Sequence, residues 1–91
     1  MAIEVRIPTI LRTYTGGAKA VDGKGNSLAD LVDDLENNHP GLKDRLIENG
    51  DLRRFVNVYV NDEDVRFTGG LDTSLNDGDS VVVLPAVAGG A

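Results

Sequence analysis

Hydrophobic and polar residues alternate in the first residues of the chain. Ile3, Val5 and Ile7 are separated by charged residues, and this period of two is typical of a strand that buries one face. Pro8 interrupts the pattern because it has no backbone donor for a strand ladder. After a pair of glycines, a weaker apolar segment at 18–21 predicts a second strand. Together the two segments predict a β-hairpin, followed by a loop.

The clearest helical signal begins at Ser27. A serine followed three residues later by Asp30 resembles a capping box, with aspartate in place of the stronger glutamate. Apolar side chains then occur at i, i+3, i+4 and i+7, which predicts a helix with one buried stripe. The stripe consists of Leu28, Leu31, Val32 and Leu35. Pro40 ends the pattern because a proline cannot continue the helix, and residues 42–47 predict a further short helical turn.

Two further strands are predicted in the second half of the chain. In residues 55–60, three valines point to one side and Asn57 and Tyr59 to the other. Residues 81–84 are apolar throughout, as expected of a central strand covered on at least one face. Pro85 should end this strand, since it cannot donate to the ladder.

The segment between these two strands reads as turns with one short strand. Residues 61–64 are all polar and predict a turn, and residues 65–67 predict a short strand. A glycine pair at 69–70 is a break, and residues 76–79 form another turn signal. The resulting order of strand, strand, helix, strand, short strand, strand predicts one helix packed on a mixed sheet, which is a two-layer α+β domain.

Length and composition narrow the classes of function. A chain of 91 residues is one domain by size, which we place at residues 1–85, with a flexible tail at 86–91. A net charge of −6 disfavours nucleic acid as a partner. There is no long apolar segment and no signal peptide in the sequence, so we expect a cytoplasmic protein that binds no membrane.

Known catalytic and metal-binding motifs are missing from the sequence. The chain has no cysteine, which excludes disulfides, thiolate metal sites and a cysteine nucleophile, and its single histidine, His39, lies in a turn-like segment. The acidic pairs 33–34 and 62/64 are interpreted as solvated positions, because the second lacks the glycine and distal glutamate of a calcium loop. We therefore expect no catalytic residue, no metal and no bound cofactor.

The end of the chain is the most unusual feature. Gly89 and Gly90 follow the last predicted strand with only small residues between, and Ala91 comes after them. From Pro85 the chain can reach about 20 Å when extended, and glycines without Cβ can enter a narrow tunnel. A slim tail of this kind allows an enzyme that holds ATP to approach a terminal carboxylate. A frayed, functionless terminus is the alternative.

Taken together, the segments resemble the MoaD/ThiS sulfur-carrier family over nearly the whole chain. The resemblance rests on the Ser27 helix, the strand "VNVYVNDEDVR", the segment "LNDGDSVVVLPAVAGG" and the Gly-Gly end. It implies a β-grasp, ubiquitin-like fold with a mixed sheet of about five strands and one main helix. Within the family, the sequence looks most like the carriers that supply sulfur for cysteine biosynthesis.

The resemblance also implies a carrier role rather than catalysis. Gly90 would be adenylated by a ubiquitin-activator-like enzyme that uses ATP, and then converted to a thiocarboxylate, with Val87, Ala88 and Gly89 recognised as the tail. A PLP-dependent cysteine synthase would receive the sulfur, and a JAMM-type zinc metalloprotease would release the cysteine. Because the chain ends in Ala91, that residue would first have to be removed.

Several alternatives stay open at the level of sequence. The same tail suits a molybdopterin synthase small subunit or a ubiquitin-like protein modifier, and a plain interaction module would have an inert tail. The surface that would dock partner enzymes is predicted on the sheet face opposite the helix, where core packing is the competing interpretation for some positions. The docking candidates are Phe55, Tyr59, Val82 and Leu84.

Overall fold

The computed structural model describes residues 2–54 and 56–85. Nine regular elements follow one another along these residues: β1 (Ile3–Arg6), β2 (Ala20–Gly23), α1 (Leu28–Asn38), α2 (Leu42–Leu46), β3 (Ile47–Glu48), β4 (Asp51–Leu52), β5 (Val56–Val60), β6 (Glu63–Asp64) and β7 (Ser80–Pro85). Short 3₁₀ helices cover Thr9–Thr15, Val65–Phe67 and Gly70–Asp72. The predicted α+β architecture is confirmed.

The last strand, β7, lies at the centre of the main sheet. The strand order is β2-β1-β7-β5-β6. β7 pairs in parallel with β1, where Val5 lies beside Val81, and antiparallel with β5, where Val58 lies beside Val83. The sheet is therefore mixed, as predicted, and the apolar sequence of β7 is explained by its two neighbouring strands and its buried inner face.

The core lies between one face of this sheet and helix α1. Val5, Leu31 and Val81 are at most 1 % exposed and mark its centre. Around them pack the remaining inward side chains of the strands and the stripe of α1, together with Leu42 and Leu46 of α2. Alternate residues of β1 and β7 are buried, which is the pattern that a one-sided core requires.

Helix α1 begins as its sequence predicts. The Ser27 hydroxyl accepts a hydrogen bond from the Asp30 backbone N–H at 3.2 Å, so one of the free donors of the first turn is satisfied. All four residues of the predicted stripe are buried. The helix ends at Asn38, two residues before Pro40.

The first connection differs from the prediction. Between Pro8 and the glycine pair, where no regular element was predicted, residues Thr9–Thr15 form a 3₁₀ helix that buries Leu11 and Thr15 and ends at Gly16 with φ +66°. β2 covers Ala20–Gly23 rather than the predicted 18–21, so the loop that follows it begins two residues later than expected. The Thr15 hydroxyl fixes this connection, since it donates to the Ala18 carbonyl at 2.9 Å and also lies 3.2 Å from the Arg12 carbonyl oxygen.

Two tight hairpins complete the fold. Asn61 and Asp62 have φ of +50° and +71°, so both central residues of the β5–β6 turn are left-handed, as in a type I′ hairpin. Asn49 and Gly50 do the same between β3 and β4, a hairpin that the sequence analysis did not predict. The predicted short strand at 65–67 is wrong: this segment is a 3₁₀ helix, because the Asp64 carboxylate accepts the Arg66 backbone N–H at 2.9 Å and starts a turn there.

Candidate functional site

The predicted carrier residues follow directly on β7. This strand ends at Pro85, which pairs with Val56 of β5. Val87, Ala88, Gly89, Gly90 and Ala91 lie outside the residues that the structure describes. The structure describes the strand that precedes them: β7 is paired with β1 along residues 80–82 and with β5 along residues 81–85, so its last residues are held by β5. We call this end of the sheet the tail end.

The predicted docking residues of β5 and β7 are neighbours on the outer face of the sheet. Tyr59 and Val82 are register partners and both are half-buried. Leu84, two residues further along β7, is 45 % exposed and is paired with Asn57. None of the three belongs to the core between the sheet and α1, whereas Phe55 lies outside the described residues. The outer face thus carries an apolar strip that leads to the tail end.

Two open grooves flank Pro85. The first, of about 410 Å³, lies between the Thr9–Thr15 helix and the start of β5. The second lies along β1 and the start of the same helix. The grooves share Pro8, Ile10, Val83, Leu84 and Pro85, which form the ridge between them. Pro85, at the end of β7, therefore lies beside two concave surfaces.

Ile10 is a strongly exposed residue of this ridge, and the sequence analysis missed it. Its side chain is 67 % exposed, whereas Leu11 beside it is buried. The available signal was the run of apolar residues 10–11 after Pro8, which a 3₁₀ helix splits between the core and the solvent. Ile10 and Leu84 thus form an exposed apolar pair at the tail end.

One wall of the first groove is built by Tyr14 and Arg45. The Arg45 guanidinium lies 5.6 Å from the centroid of the Tyr14 ring, and its Nε donates to the phenol oxygen at 2.6 Å. The ring also packs on Gly41, where an added Cβ would lie 2.9 Å from the aromatic carbon Cε1. Gly41 has φ +98°, so both its backbone and its lack of a side chain allow this wall to form.

The other basic residues of the grooves donate to backbone carbonyls or have exposed side chains. Arg12 donates from Nε to the Ile7 carbonyl at 3.1 Å, and Arg53 donates to the Asp44 carbonyl at 2.8 Å. Arg6 and Lys19, on the side of the second groove, are exposed. Of these cations, Arg53 has a carboxylate near it, Glu48 at 3.6 Å.

The opposite end of the sheet is built from turns and carboxylates. The Asp79 carboxylate accepts the Asn76 backbone N–H at 2.8 Å and the Asn61 side-chain amide at 3.0 Å. These hydrogen bonds, that of Asn76 first, hold the pKa of Asp79 below its ordinary value. Asn61 in turn accepts the Ser80 backbone N–H at 3.0 Å. We call this the turn end.

A second carboxylate network links the two α-helices. Glu36 of α1 accepts the backbone N–H groups of Gly41 at 3.1 Å and Lys43 at 2.9 Å, and so caps the start of α2. Its pKa is lowered, chiefly by the Gly41 hydrogen bond and then by that of Lys43. The Lys43 ammonium contacts Asp33 at 2.6 Å, which raises the pKa of the lysine.

The acidic pairs 33–34 and 62/64 lie at contacts and turns that belong to the fold. Asp33 pairs with Lys43, and Asp34 accepts the Lys24 backbone N–H at 3.0 Å. Asp62 lies in the β5–β6 turn and Asp64 caps the following 3₁₀ helix. Across residues 2–54 and 56–85, no three acidic or histidine side chains are grouped closely enough to hold a metal ion. In the same residues, no helix is long and apolar enough to span a bilayer.

Known proteins are similar to this chain in both sequence and structure. Residues 5–90 match the ThiS family. The chain is 57 % identical to the sulfur carrier protein CysO of Mycobacterium tuberculosis, over 99 % of this chain and 100 % of that protein. It is 44 % identical to small archaeal modifier protein 3 of Haloferax volcanii, over 70 % of each protein.

A solved structure matches the fold closely. The crystal structure of the Amycolatopsis orientalis BexX/CysO complex contains a chain that superposes with a TM-score of 0.93 at 57 % identity, covering 97 % of this chain and 99 % of that one. The ubiquitin-like β-grasp fold expected from the sequence is thereby confirmed. With the family match over nearly the whole length, the chain belongs to the ThiS family.

Proposed function

We propose that this chain is a sulfur carrier whose working group is the α-carboxylate of Gly90, exposed once Ala91 has been removed. The observation that carries the proposal is the 57 % identity to CysO over the full length of both proteins. The fold supports it, because β7 is the central strand of the sheet and its last residue, Pro85, lies between two open grooves. The chain has no cysteine, so a main-chain terminus is the natural place for sulfur.

The chemistry divides between carrier and enzymes. A carboxylate is a poor electrophile, so an adenylating enzyme related to ubiquitin activators joins Gly90 to the α-phosphate of ATP and releases pyrophosphate. A sulfur donor then displaces AMP from the acyl carbon and leaves a thiocarboxylate. The chain itself supplies a slim reactive group and the surface that presents it. It binds no cofactor in this proposal and remains a co-substrate rather than a catalyst.

For the destination of the sulfur, we propose cysteine biosynthesis. The thiocarboxylate attacks an aminoacrylate that a PLP-dependent cysteine synthase forms from an activated serine. An acyl shift leaves the cysteine linked to Gly90 by an amide, and a JAMM-type zinc metalloprotease hydrolyses that bond. A molybdopterin synthase would use the same group with a different acceptor, but the similarity to CysO favours the cysteine route.

Intact mass spectrometry tests the proposal directly. A chain that ends at Gly90 is incubated with ATP, a sulfur donor and the adenylating enzyme, and should gain the mass difference between sulfur and oxygen. The matched control is the same chain with Ala91 retained, which should keep its mass. An unchanged mass for the Gly90 form, with an enzyme proven active on another carrier, would contradict the proposal.

Protein modification is a second candidate. It is favoured by the 44 % identity to an archaeal modifier protein, which covers 70 % of the chain. A modifier would transfer Gly90 to a lysine amine of another protein instead of accepting sulfur. The two functions separate in cell extracts containing the Gly90 form: isopeptide conjugates on a denaturing blot indicate modification, and a thiocarboxylate without conjugates indicates a carrier.

A further inference from the structure

The basic residues of this acidic protein are concentrated at the tail end. Of nine lysines and arginines, five line the two grooves beside Pro85, whereas none of the fifteen aspartates and glutamates lines either groove. The five come from five separate segments of the chain, so no single basic run explains the clustering. They are Arg6, Arg12, Lys19, Arg45 and Arg53. We call these five residues the basic ring.

Most of the basic ring is not neutralised within the fold. The side-chain hydrogen bonds of Arg12, Arg45 and Arg53 go to two backbone carbonyls and a phenol, which are uncharged acceptors. A guanidinium has five N–H donors, so each arginine keeps others for a partner. Within the described residues, the ring has one contact with a carboxylate, the 3.6 Å approach of Arg53 to Glu48.

Arg66 shows what a structural cation looks like in this protein. It donates to the Val56 carbonyl at 2.9 Å and to the Asn57 side chain, and it lies 3.8 Å from the Asp64 carboxylate. Arg66 therefore ties the Val65–Phe67 helix to β5. Arg6 and Lys19 make no such links among residues 2–54 and 56–85, and their positions are not explained by the stability of the fold.

The charge is polarised along β7. At the turn end, four carboxylates lie near the start of the strand. Two come from the β5–β6 hairpin and two from the turn before β7: Asp62, Glu63, Asp77 and Asp79. At the tail end, the basic ring surrounds the exposed pair Ile10 and Leu84. An apolar centre with a charged rim is the usual composition of a protein–protein interface.

We infer that the basic ring is an electrostatic docking surface for a carboxylate-rimmed protein surface around the site that takes up the tail. The inference rests on the proposed function and specifies its partner by charge. An acidic protein surface fits better than a nucleic acid, because the carboxylates at the turn end and the net charge of −6 repel a long polyanion. A folded partner can face the tail end alone.

Exposed charges of this kind act mainly on the rate at which the carrier associates with its partner enzyme. Exposed pairs steer association and are screened by salt, since the Debye length is about 10 Å at about 0.1 M salt and about 3 Å at about 1 M. Once the tail is seated, the chemistry at Gly90 does not involve the ring. Weakening the ring should therefore raise KM for the carrier and leave kcat unchanged.

Two exposed lysines at opposite ends provide a matched pair. Lys19→Glu reverses a charge in the basic ring. Lys24→Glu makes the same change at the turn end, in a groove that Lys24 lines together with Asn76 and Asp77, and there its backbone N–H bonds to Asp34. The experiment measures adenylation of chains that end at Gly90 by the purified adenylating enzyme, as ATP–pyrophosphate exchange at varied carrier concentration. We expect KM to rise about fivefold to tenfold for Lys19→Glu, and less than about twofold for Lys24→Glu, with the difference lost at about 1 M NaCl.

The outcomes separate the two proposals. No exchange with the unaltered chain would contradict the sulfur-carrier function itself. Exchange with equal KM values for the two variants, or an effect confined to kcat, would overturn the docking surface while leaving the carrier function intact. Fluorescence anisotropy with oligothymidylate supplies the remaining test: tighter binding of the oligonucleotide than of the enzyme would reassign the ring to nucleic acid.

Discussion

The two ends of the central strand are built on different principles. At the turn end, the polar groups described above bond to each other: Asn61, Asp79 and the backbone of Asn76 and Ser80 form one network. At the tail end, apolar and basic side chains face the solvent, and Ile10 is 67 % exposed. One end uses its side chains to hold the fold, and the other keeps them available. Stability and recognition are thus separated along a single strand.

The largest loss of stability is expected when a Cβ methyl group is added to Gly25, near the turn end. A Cβ on Gly25 would lie 2.5 Å from the backbone nitrogen of Leu31 and 2.9 Å from the Asp30 carbonyl carbon, and backbone atoms cannot move aside cheaply. Gly25→Ala should lower the free energy of unfolding by about 3 kcal/mol, measured by urea denaturation. Gly78→Ala is the control, since it meets nothing within 4 Å and tests only the strain of φ +89°. A smaller loss for Gly25→Ala than for Gly78→Ala would contradict this prediction.

A smaller loss is expected when the Asn61 network is cut. Asn61→Ala removes two side-chain hydrogen bonds and leaves a residue with Cβ at φ +50°, so we expect a loss of about 2 kcal/mol. Asn61→Gly removes the same bonds but accepts the backbone angle, and should lose about 1 kcal/mol. Equal losses would show that the backbone strain is absent. Adenylation of Gly90 should be normal in both variants.

Changes at the tail end should hardly affect stability. In the double variant Ile10→Ser and Leu84→Ser, two side chains that are already exposed are shortened, so the free energy of unfolding should change by less than about 0.5 kcal/mol. KM for adenylation should nevertheless rise, because the apolar centre of the proposed interface is lost. A large loss of stability with an unchanged KM would reverse the roles we assign to the two ends.

The smallest effect on stability is expected at Glu36, and it should depend on pH. Glu36 has a lowered pKa in the fold, so its stabilising hydrogen bonds to the start of α2 are fully present above the ordinary value of 4.5 and are lost as the pH falls through the lower, folded value. Glu36→Gln should therefore lower the midpoint of thermal unfolding at neutral pH, and the difference should disappear in acid. Glu63→Gln, at an exposed strand position, is the control. A difference that persists in acid would rule out the carboxylate as its cause.

Much of the fold could be predicted from local sequence patterns. The Ser27 cap, the stripe of α1 and the apolar β7 each state their structure within a few residues, and all three are confirmed. The segment 65–67 was misread because an alternating pattern of three residues fits a strand and a 3₁₀ turn equally well, and the Asp64 side chain decides between them. Short two-residue strands such as β3 and β4 carry no periodic signal at all.

The candidate site divides in the same way. Tyr59, Val82 and Leu84 could be predicted because each lies on a predicted strand with an outward face. The exposure of Ile10 depends on a 3₁₀ helix that the sequence did not predict. The basic ring was beyond sequence reasoning, since its members are brought together only by the pairing of β1, β7 and the segments that pack beside them. Long-range topology, rather than any motif, assembles this surface.

The parallel pairing of β1 with β7 has a practical consequence. Because the strands run in the same direction, Ala2 lies at the turn end, where its carbonyl accepts the Gly78 backbone N–H at 3.2 Å. The six residues of β7 then separate it from Pro85 by about 20 Å. A fluorescent label or an affinity handle attached ahead of Ala2 would emerge on the far side of the molecule, so immobilised carriers should still offer their free ends to soluble enzymes.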